Sequence, residues 1–229
     1  MAPRAIISYD DTLNDHDALA FGRLLADAGA ELTLAYVRHV SASEREGEEL
    51  AEHEADALLE RGARLLGDLD VARRVVHHAS TADGLRRLAE REGADIIAFG
   101  SDYRTAPGHV APQRSAELLL NGGTVAIALA PAGYRGSGPH RVAAIGVLTQ
   151  GDDHAAIETA HQLAQRLGAT VVDRRSGVDL LVVGSRPEAQ VGQVLVSAAA
   201  MGAIDEATFP VLIVPRRAPV QFAAPIYVS

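Results

Sequence analysis

Residues 94–131, ADIIAFGSDYRTAPGHVAPQRSAELLLNGGTVAIALAP, decide the fold of this chain. Asp95–Phe99 and Thr124–Ala130 are continuous apolar runs, too short for helices and suited to strands buried on both faces. Between them lie a polar loop, Ser101–Gln113, and a short helix from about Arg114 to Leu120. Shifted by 84 residues, the pattern returns as VDLLVVGSRPEAQVGQVLVSAAAMGAIDEATFPVLIVP, residues 178–215. Asp95/Asp179, Gly100/Gly184, Ser101/Ser185, Gly108/Gly192, Val110/Val194 and Pro131/Pro215 coincide without a gap. Two glycines, a Gly-Ser step and a closing proline held in register indicate an internal duplication.

Upstream, Ala5–Tyr9 is an apolar run ending in Asp10-Asp11-Thr12, a strand followed by a turn and a helix N-cap. A helical face runs from about Asp15 to Ala28, and Gly29 closes it. Glu31–Val37 is the second strand. A long amphipathic helix is predicted over Ser41–Leu66, then a strand at Val71–His77, less apolar and so nearer a sheet edge. A third helix covers Ala82–Glu92 and ends at Gly93. Strands alternating with helices predict a parallel sheet covered on both faces. Gly, Ser and Pro cluster in residues 132–140 and mark a linker.

The pattern restarts with a strand at Val142–Leu148, a helix at Asp152–Leu167 capped by Gly168, and a short strand at Ala169–Val172. The first half places 57 residues between Val37 and Asp95, whereas six separate Val172 from Asp179. Six residues reach at most about 20 Å, so a helical crossover does not fit and the second half is a reduced copy. The domain plan is therefore 1–131, a linker at 132–140, a reduced domain at 141–216 and a tail at 217–229. That tail carries Phe222, Ile226, Tyr227 and Val228, and reads either as disordered or as an arm docking on a partner.

Composition narrows the function. A net charge of −9 argues against nucleic acid, because a basic face supplies most of that affinity. All 21 basic residues are arginine, which excludes the P-loop and Schiff-base chemistry that need lysine. With no cysteine there are no disulfides, thiolate nucleophiles or cysteine-bound zinc. No apolar run reaches the roughly 18 residues of a membrane helix and no signal-peptide core precedes the first strand, so a cytoplasmic protein is expected, with no membrane partner. No Gly-x-Ser-x-Gly elbow, His-Glu-x-x-His or paired-carboxylate constellation appears, and no enzyme is expected.

With Tyr9-Asp10-Asp11-Thr12 ending the first strand, Val37 ending the second, and the Gly100-Ser101 loop leading to Ser115-Ala116-Glu117, the chain resembles the universal stress protein family in its tandem form. The resemblance implies α/β architecture: two tandem parallel-sheet domains of the adenine nucleotide alpha hydrolase-like kind, the second truncated. It also implies a non-enzymatic stress-response protein, with the two halves forming a pseudo-dimer and a homodimer as a further expectation. Nucleotide-binding members hold ATP with a Gly-x2-Gly-x9-Gly-Ser/Thr loop, an Asp after the first strand and a small apolar residue after the second. Carried onto this sequence, Asp10 matches the Asp, Val37 the apolar contact and Gly100 the first glycine. Tyr103 stands at the second glycine, and Gln113-Arg114 at the Gly-Ser pair. Gly108 lies in the spacer, and Ser115 supplies a hydroxyl if the register slips by one.

The candidate binding residues are thus Asp10, Thr12, Val37, Phe99, Gly100, Gly108, Arg114 and Ser115. The ligand would be ATP, ADP or another phosphate-bearing small molecule, held by glycines that bare the backbone and a hydroxyl at a helix start. The second half has Pro187 and Ser197-Ala198 in place of the loop residues, and Thr149-Gln150-Gly151 in place of the carboxylate turn. Structural readings stand beside these. Asp10 could cap the first helix, Gly100 and Gly184 could be turn glycines, and Arg114 could pair with a surface carboxylate. His16 reads as a solvated helix residue. His77 and His78 point to opposite faces of a strand and do not share a metal. The alternative to nucleotide binding is a ligand-free interaction module.

Overall fold

A computed structural model describes residues 1–39, 48–67, 69–136, 141–173 and 177–222. The first half runs β1 (Arg4–Ser8), α1 (Leu13–Asp27), β2 (Glu31–Arg38), α2 (Glu48–Leu66), β3 (Val71–His77), α3 (Thr81–Glu92), β4 (Ile96–Gly100), α4 (Arg114–Leu120) and β5 (Ala126–Ala130). After a 3-10 turn at Tyr134–Gly136 come β6 (Ala144–Leu148), α5 (Ala155–Leu167), β7 (Thr170–Val172), β8 (Leu180–Gly184), α6 (Ala198–Asp205) and β9 (Val211–Val214).

The nine strands of the described residues form one sheet in the order β3-β2-β1-β4-β5-β9-β8-β6-β7. Every pairing is parallel except β5 with β9, which meet antiparallel at Ile127–Ile213, Ala128–Leu212 and Leu129–Val211. The two closing strands thereby shield each other's edges, which would otherwise expose unpaired apolar backbone. β4, β5 and β8 are buried along their whole length, as continuous apolar runs require. β3, with Arg73 and Arg74 at its centre, lies at one edge of the sheet.

Helices cover both faces. Leu24 of α1, Leu59 of α2 and Leu163 of α5 belong to one buried cluster, whereas Leu88 of α3, Leu119 of α4 and Ile204 of α6 belong to the other. Each cluster draws residues from both halves, so the core is continuous across the β5–β9 junction. The 57-residue block of the first half is the source of α2, β3 and α3. In the second half β7 and β8 flank β6 directly, and β7 is only three residues long.

Structure explains why the duplicated residues match. The Ser101 hydroxyl donates to the Ala130 carbonyl at 2.7 Å and accepts the Ala111 N–H at 3.2 Å. Ser185 does the same with Val214 at 2.7 Å and Leu195 at 3.3 Å. Gly108 and Gly192 have φ near 80° and 79°, and their N–H groups reach Ala132 and Arg216 carbonyls at 2.7 and 2.8 Å. Each set ties the post-strand loop to the closing strand beside it.

Element ends differ from the sequence reading in places. α1 begins at Leu13 because Thr12 and Asp15 form a capping box. α5 starts at Ala155, later than Asp152, with the Asp153 carboxylate accepting the Ala155 N–H at 3.0 Å. α2 is described from Glu48, and residues 41–47 of the predicted helix lie outside the described residues. The linker is anchored: buried Asp17 accepts the N–H groups of Gly133 at 2.7 Å and Arg135 at 2.9 Å, and the Arg135 Nη1 at 3.0 Å.

Residues 217–222 of the tail pack on their own chain. Thr159 accepts the Val220 N–H at 3.0 Å, Gln162 bonds Gln221 at 2.9 Å, and Val220 and Phe222 are buried against α5 and its neighbours. Two apolar side chains so close to a hydrophobic face gain more by covering it than by solvation. Residues 223–229, with Ile226, Tyr227 and Val228, lie outside the described residues.

Candidate functional site

The carboxyl ends of β1 and β2 open into a cleft of about 110 Å³ lined by Asp10, Thr12, Val37, His39, Thr81 and Gln113, among others. It lies beside the β1–β4 pair, where strand order reverses and parallel α/β sheets take their ligands. The turn after β1 builds its acidic wall. Asp15 is buried, and its Oδ2 accepts the N–H groups of Asp10 and Thr12 at 3.0 Å each and the Thr12 hydroxyl at 2.7 Å. Burial raises the Asp15 pKa, against the pull of those hydrogen bonds. Asp10 is raised too, by burial first and then by repulsion from Asp15 and Asp11, with His39 opposing.

Asp11 lies at the back of this turn with φ 58°, a left-handed conformation that a side chain seldom adopts. Its carboxylate accepts the Tyr9 hydroxyl at 2.7 Å, contacts His16 Nε2 at 3.2 Å and accepts Arg61 Nε at 2.9 Å. The Tyr9 hydroxyl, then His16 and Arg61, hold its pKa down at about 2. On the opposite wall, His39 Nδ1 is 3.2 Å from the Ala79 carbonyl and Nε2 is 3.0 Å from the Thr81 hydroxyl. A carbonyl only accepts, so Nδ1 is the donor to Ala79.

The candidate residues divide on this geometry. Asp10, Thr12 and Val37 line one cleft together with Gln113. Asp10 does not cap α1, since Thr12 does. Phe99 is fully buried in the core beneath the sheet end. Gly100 has a packing reason to be glycine, because a Cβ there would collide with the Asn14 carbonyl. Gly108 is an exposed turn glycine whose counterpart Gly192 makes the equivalent bond. Arg114 and Ser115 form the first turn of α4, but Arg114 pairs with Glu117 at 3.4 Å and lines a separate open hollow with Asp102 and Arg104. His16 is half-buried and stacks on Tyr9 with ring centroids 6.1 Å apart, rather than standing in solvent. His39 and Thr81 went unread in the sequence. Their signal was position, two residues past Val37 and at the start of the helix after β3.

A sequence profile of the universal stress protein family matches residues 1–121. The chain belongs to the universal stress protein family. Solved structures extend the likeness across the whole chain. A universal stress protein from Archaeoglobus fulgidus DSM 4304 is 13% identical, with a TM-score of 0.65, and the match covers 94% of this chain and 98% of that one. A functionally unknown protein from Pseudomonas aeruginosa PAO1 is 12% identical, with a TM-score of 0.62, covering 94% and 93%. At these identities the likeness concerns the fold. No curated protein matches in sequence.

Within this universal stress protein the two tandem layers are unequal at the site as well as in size. Gln150 occupies the second-half position of Asp10, and its Nε2 donates to the Gly184 carbonyl at 2.5 Å. Pro187 packs against Gly151 on the same turn. A side chain that crosses to the neighbouring strand end stands where the first half presents a carboxylate. Among the described residues no group of His, Asp and Glu is arranged to hold a metal ion, and no helix is long and apolar enough to cross a membrane.

Proposed function

We propose that this stress-response protein, acting in the cytoplasm without catalysis of its own, binds one adenine nucleotide in its N-terminal half. The observation that carries this reading is the convergence of Asp10, Thr12 and Val37 with Gln113 in a single cleft at the strand ends. Asp10 and its acidic neighbours suit the neutral, donor-bearing end of the ligand, the base and ribose, while repelling phosphate. The phosphates then run from Gly100 toward the start of α4, where Ser115 offers a hydroxyl and Arg114 a planar fork once released from Glu117. Binding needs Gln113 or His39 to move, because about 110 Å³ is below the 300–1,000 Å³ of ordinary ligand sites. That closed volume, together with the packing duty of Gly100, supports the second reading, a ligand-free interaction module.

Calorimetric titration of ATP and AMP into the wild type and Asp10→Ala separates the two. One site per chain is expected, weakened about 10- to 150-fold by the substitution, the worth of one charge-assisted hydrogen bond. Two equivalent sites, or indifference to Asp10→Ala, would place the ligand elsewhere. No heat at millimolar nucleotide would favour the interaction module.

A further inference from the structure

A groove beside the linker is separate from the nucleotide cleft. It encloses about 680 Å³ between the C-terminal half of α1, the end of α2, the linker and the end of α5. That volume lies within the range of small-molecule sites. Leu19, Leu24, Leu66 and Val142 supply an apolar floor and are buried. Leu65 stands on the rim with 55% of its surface exposed.

Above this floor stand Arg23, Arg135, Arg141 and Arg166, with Asp27 the carboxylate among the lining residues. A chain of net charge −9 has thus gathered a positive rim around one apolar hollow. Three of the guanidinium groups are held in place beforehand, Arg135 by its ion pair with buried Asp17 at 3.0 Å. Arg166 Nε donates to the Ala28 carbonyl at 2.8 Å, at the C-terminal end of α1, and Arg23 Nη1 donates to the Leu66 carbonyl at 2.8 Å, at the end of α2. Gly29 has φ 98° and no side chain, and any Cβ there would collide with the Arg166 guanidinium. Each of these bonds uses one of five guanidinium N–H donors. Helix capping accounts for Arg23 and Arg166 but not for Arg141, which has no hydrogen bond or ion pair to another described residue.

We propose that this groove binds a small amphipathic anion, an apolar chain or ring system ending in a carboxylate. The tail lies on Leu24, Leu66 and Val142, and the head is received by Arg141 with Arg166 or Arg23. Arg166 and Arg23, already fixed, match a carboxylate and lose little freedom on binding. The site is independent of Asp10.

Dodecanoate, kept below its self-association range, is the probe, followed by calorimetry on the full chain. Dodecyltrimethylammonium shares the tail but reverses the head charge, and acetate supplies the head alone. Dodecanoate is expected to bind at one site per chain, at least about tenfold tighter than either control. Arg141→Ala should weaken it roughly three- to tenfold without changing the melting temperature. Ala20→Glu, which puts a carboxylate in the groove, should abolish binding, and Asp10→Ala should leave it unchanged. Equal affinity for the cationic amphiphile, or indifference to both groove substitutions, would overturn the proposal. So would binding seen only in a chain ending at Phe222, since the groove would then belong to residues 223–229.

Discussion

Replacing Asp17 by asparagine tests whether the linker is a structural member rather than a tether. Asp17 Oδ2 accepts the Gly133 N–H, and Oδ1 accepts both the N–H and the Nη1 of Arg135, across sequence separations of 116 and 118 residues. Asparagine has nearly the same shape but keeps one acceptor oxygen and turns an NH₂ group toward the other donors. Three bonds to a carboxylate at about 1.5–3 kcal/mol each set the upper bound. Gly133 and Arg135 are exposed and regain water when released, so the expected loss is lower, about 2–4 kcal/mol. For a chain of this size each kcal/mol moves Tm by about 2–4 °C, which predicts a fall of about 4–16 °C by scanning calorimetry at neutral pH. Asp27→Asn, exposed on the same helix, is the control and should stay within about 0.5 kcal/mol of wild type. An Asp17→Asn protein melting within about 2 °C of wild type would show that the linker contributes nothing to the fold.

Three further outcomes follow from the same contacts. Gly100→Ala should destabilise by more than about 3 kcal/mol, because its Cβ would run into the Asn14 carbonyl, whereas Gly184→Ala meets Ala156 Cβ at an ordinary 3.5 Å and should be nearly neutral; equal urea midpoints for the two would refute this. Residues 139–229 expressed alone should lack a cooperative thermal transition, since β9 loses its partner β5 and both core clusters lose their first-half members. Asp11→Asn should cost about 1–2 kcal/mol at pH 7. A carboxylate with a depressed folded pKa stabilises above its unfolded value of 3.8, and that stability is lost as pH falls toward about 2. Wild type and variant should therefore converge between those pH values in acid titrations followed by circular dichroism, and a gap that stays constant would contradict the Tyr9–Asp11 account.

Much of the fold could be read because parallel strands buried on both faces leave a plain record, apolar runs of five or six residues bounded by Gly, Pro or Asp. The missing block of the second half was equally plain, since connection length alone limits what can be built between Val172 and Asp179. The candidate site was harder. Asp10 and Val37 follow strand ends and could be named from that position. His39, Thr81 and Gln113 become neighbours of Asp10 only through the order β2-β1-β4 and the seating of α3 and α4, which no local pattern records. The glycines were ambiguous in principle, because a bare backbone serves a phosphate and a close-packed carbonyl alike.

The duplication resolves part of that ambiguity, because each half acts as a control for the other. Features shared by both halves, such as the Ser101 and Ser185 bridges and the paired turns at Gly108 and Gly192, persist in a copy whose Asp10 position holds Gln150, so the fold alone requires them. Differences at equivalent positions have another origin. Asp11 and Gly151 occupy the same left-handed turn, at φ 58° and 70°, and glycine adopts that conformation without the roughly 1–2 kcal/mol that a Cβ costs. The first half keeps aspartate there and uses its carboxylate to fix Tyr9, His16 and Arg61 behind the Asp10 cleft. A strained residue that orders the groups beside a cleft, opposite an unstrained glycine where the cleft carboxylate is gone, supports the proposal that the ligand binds in the first half.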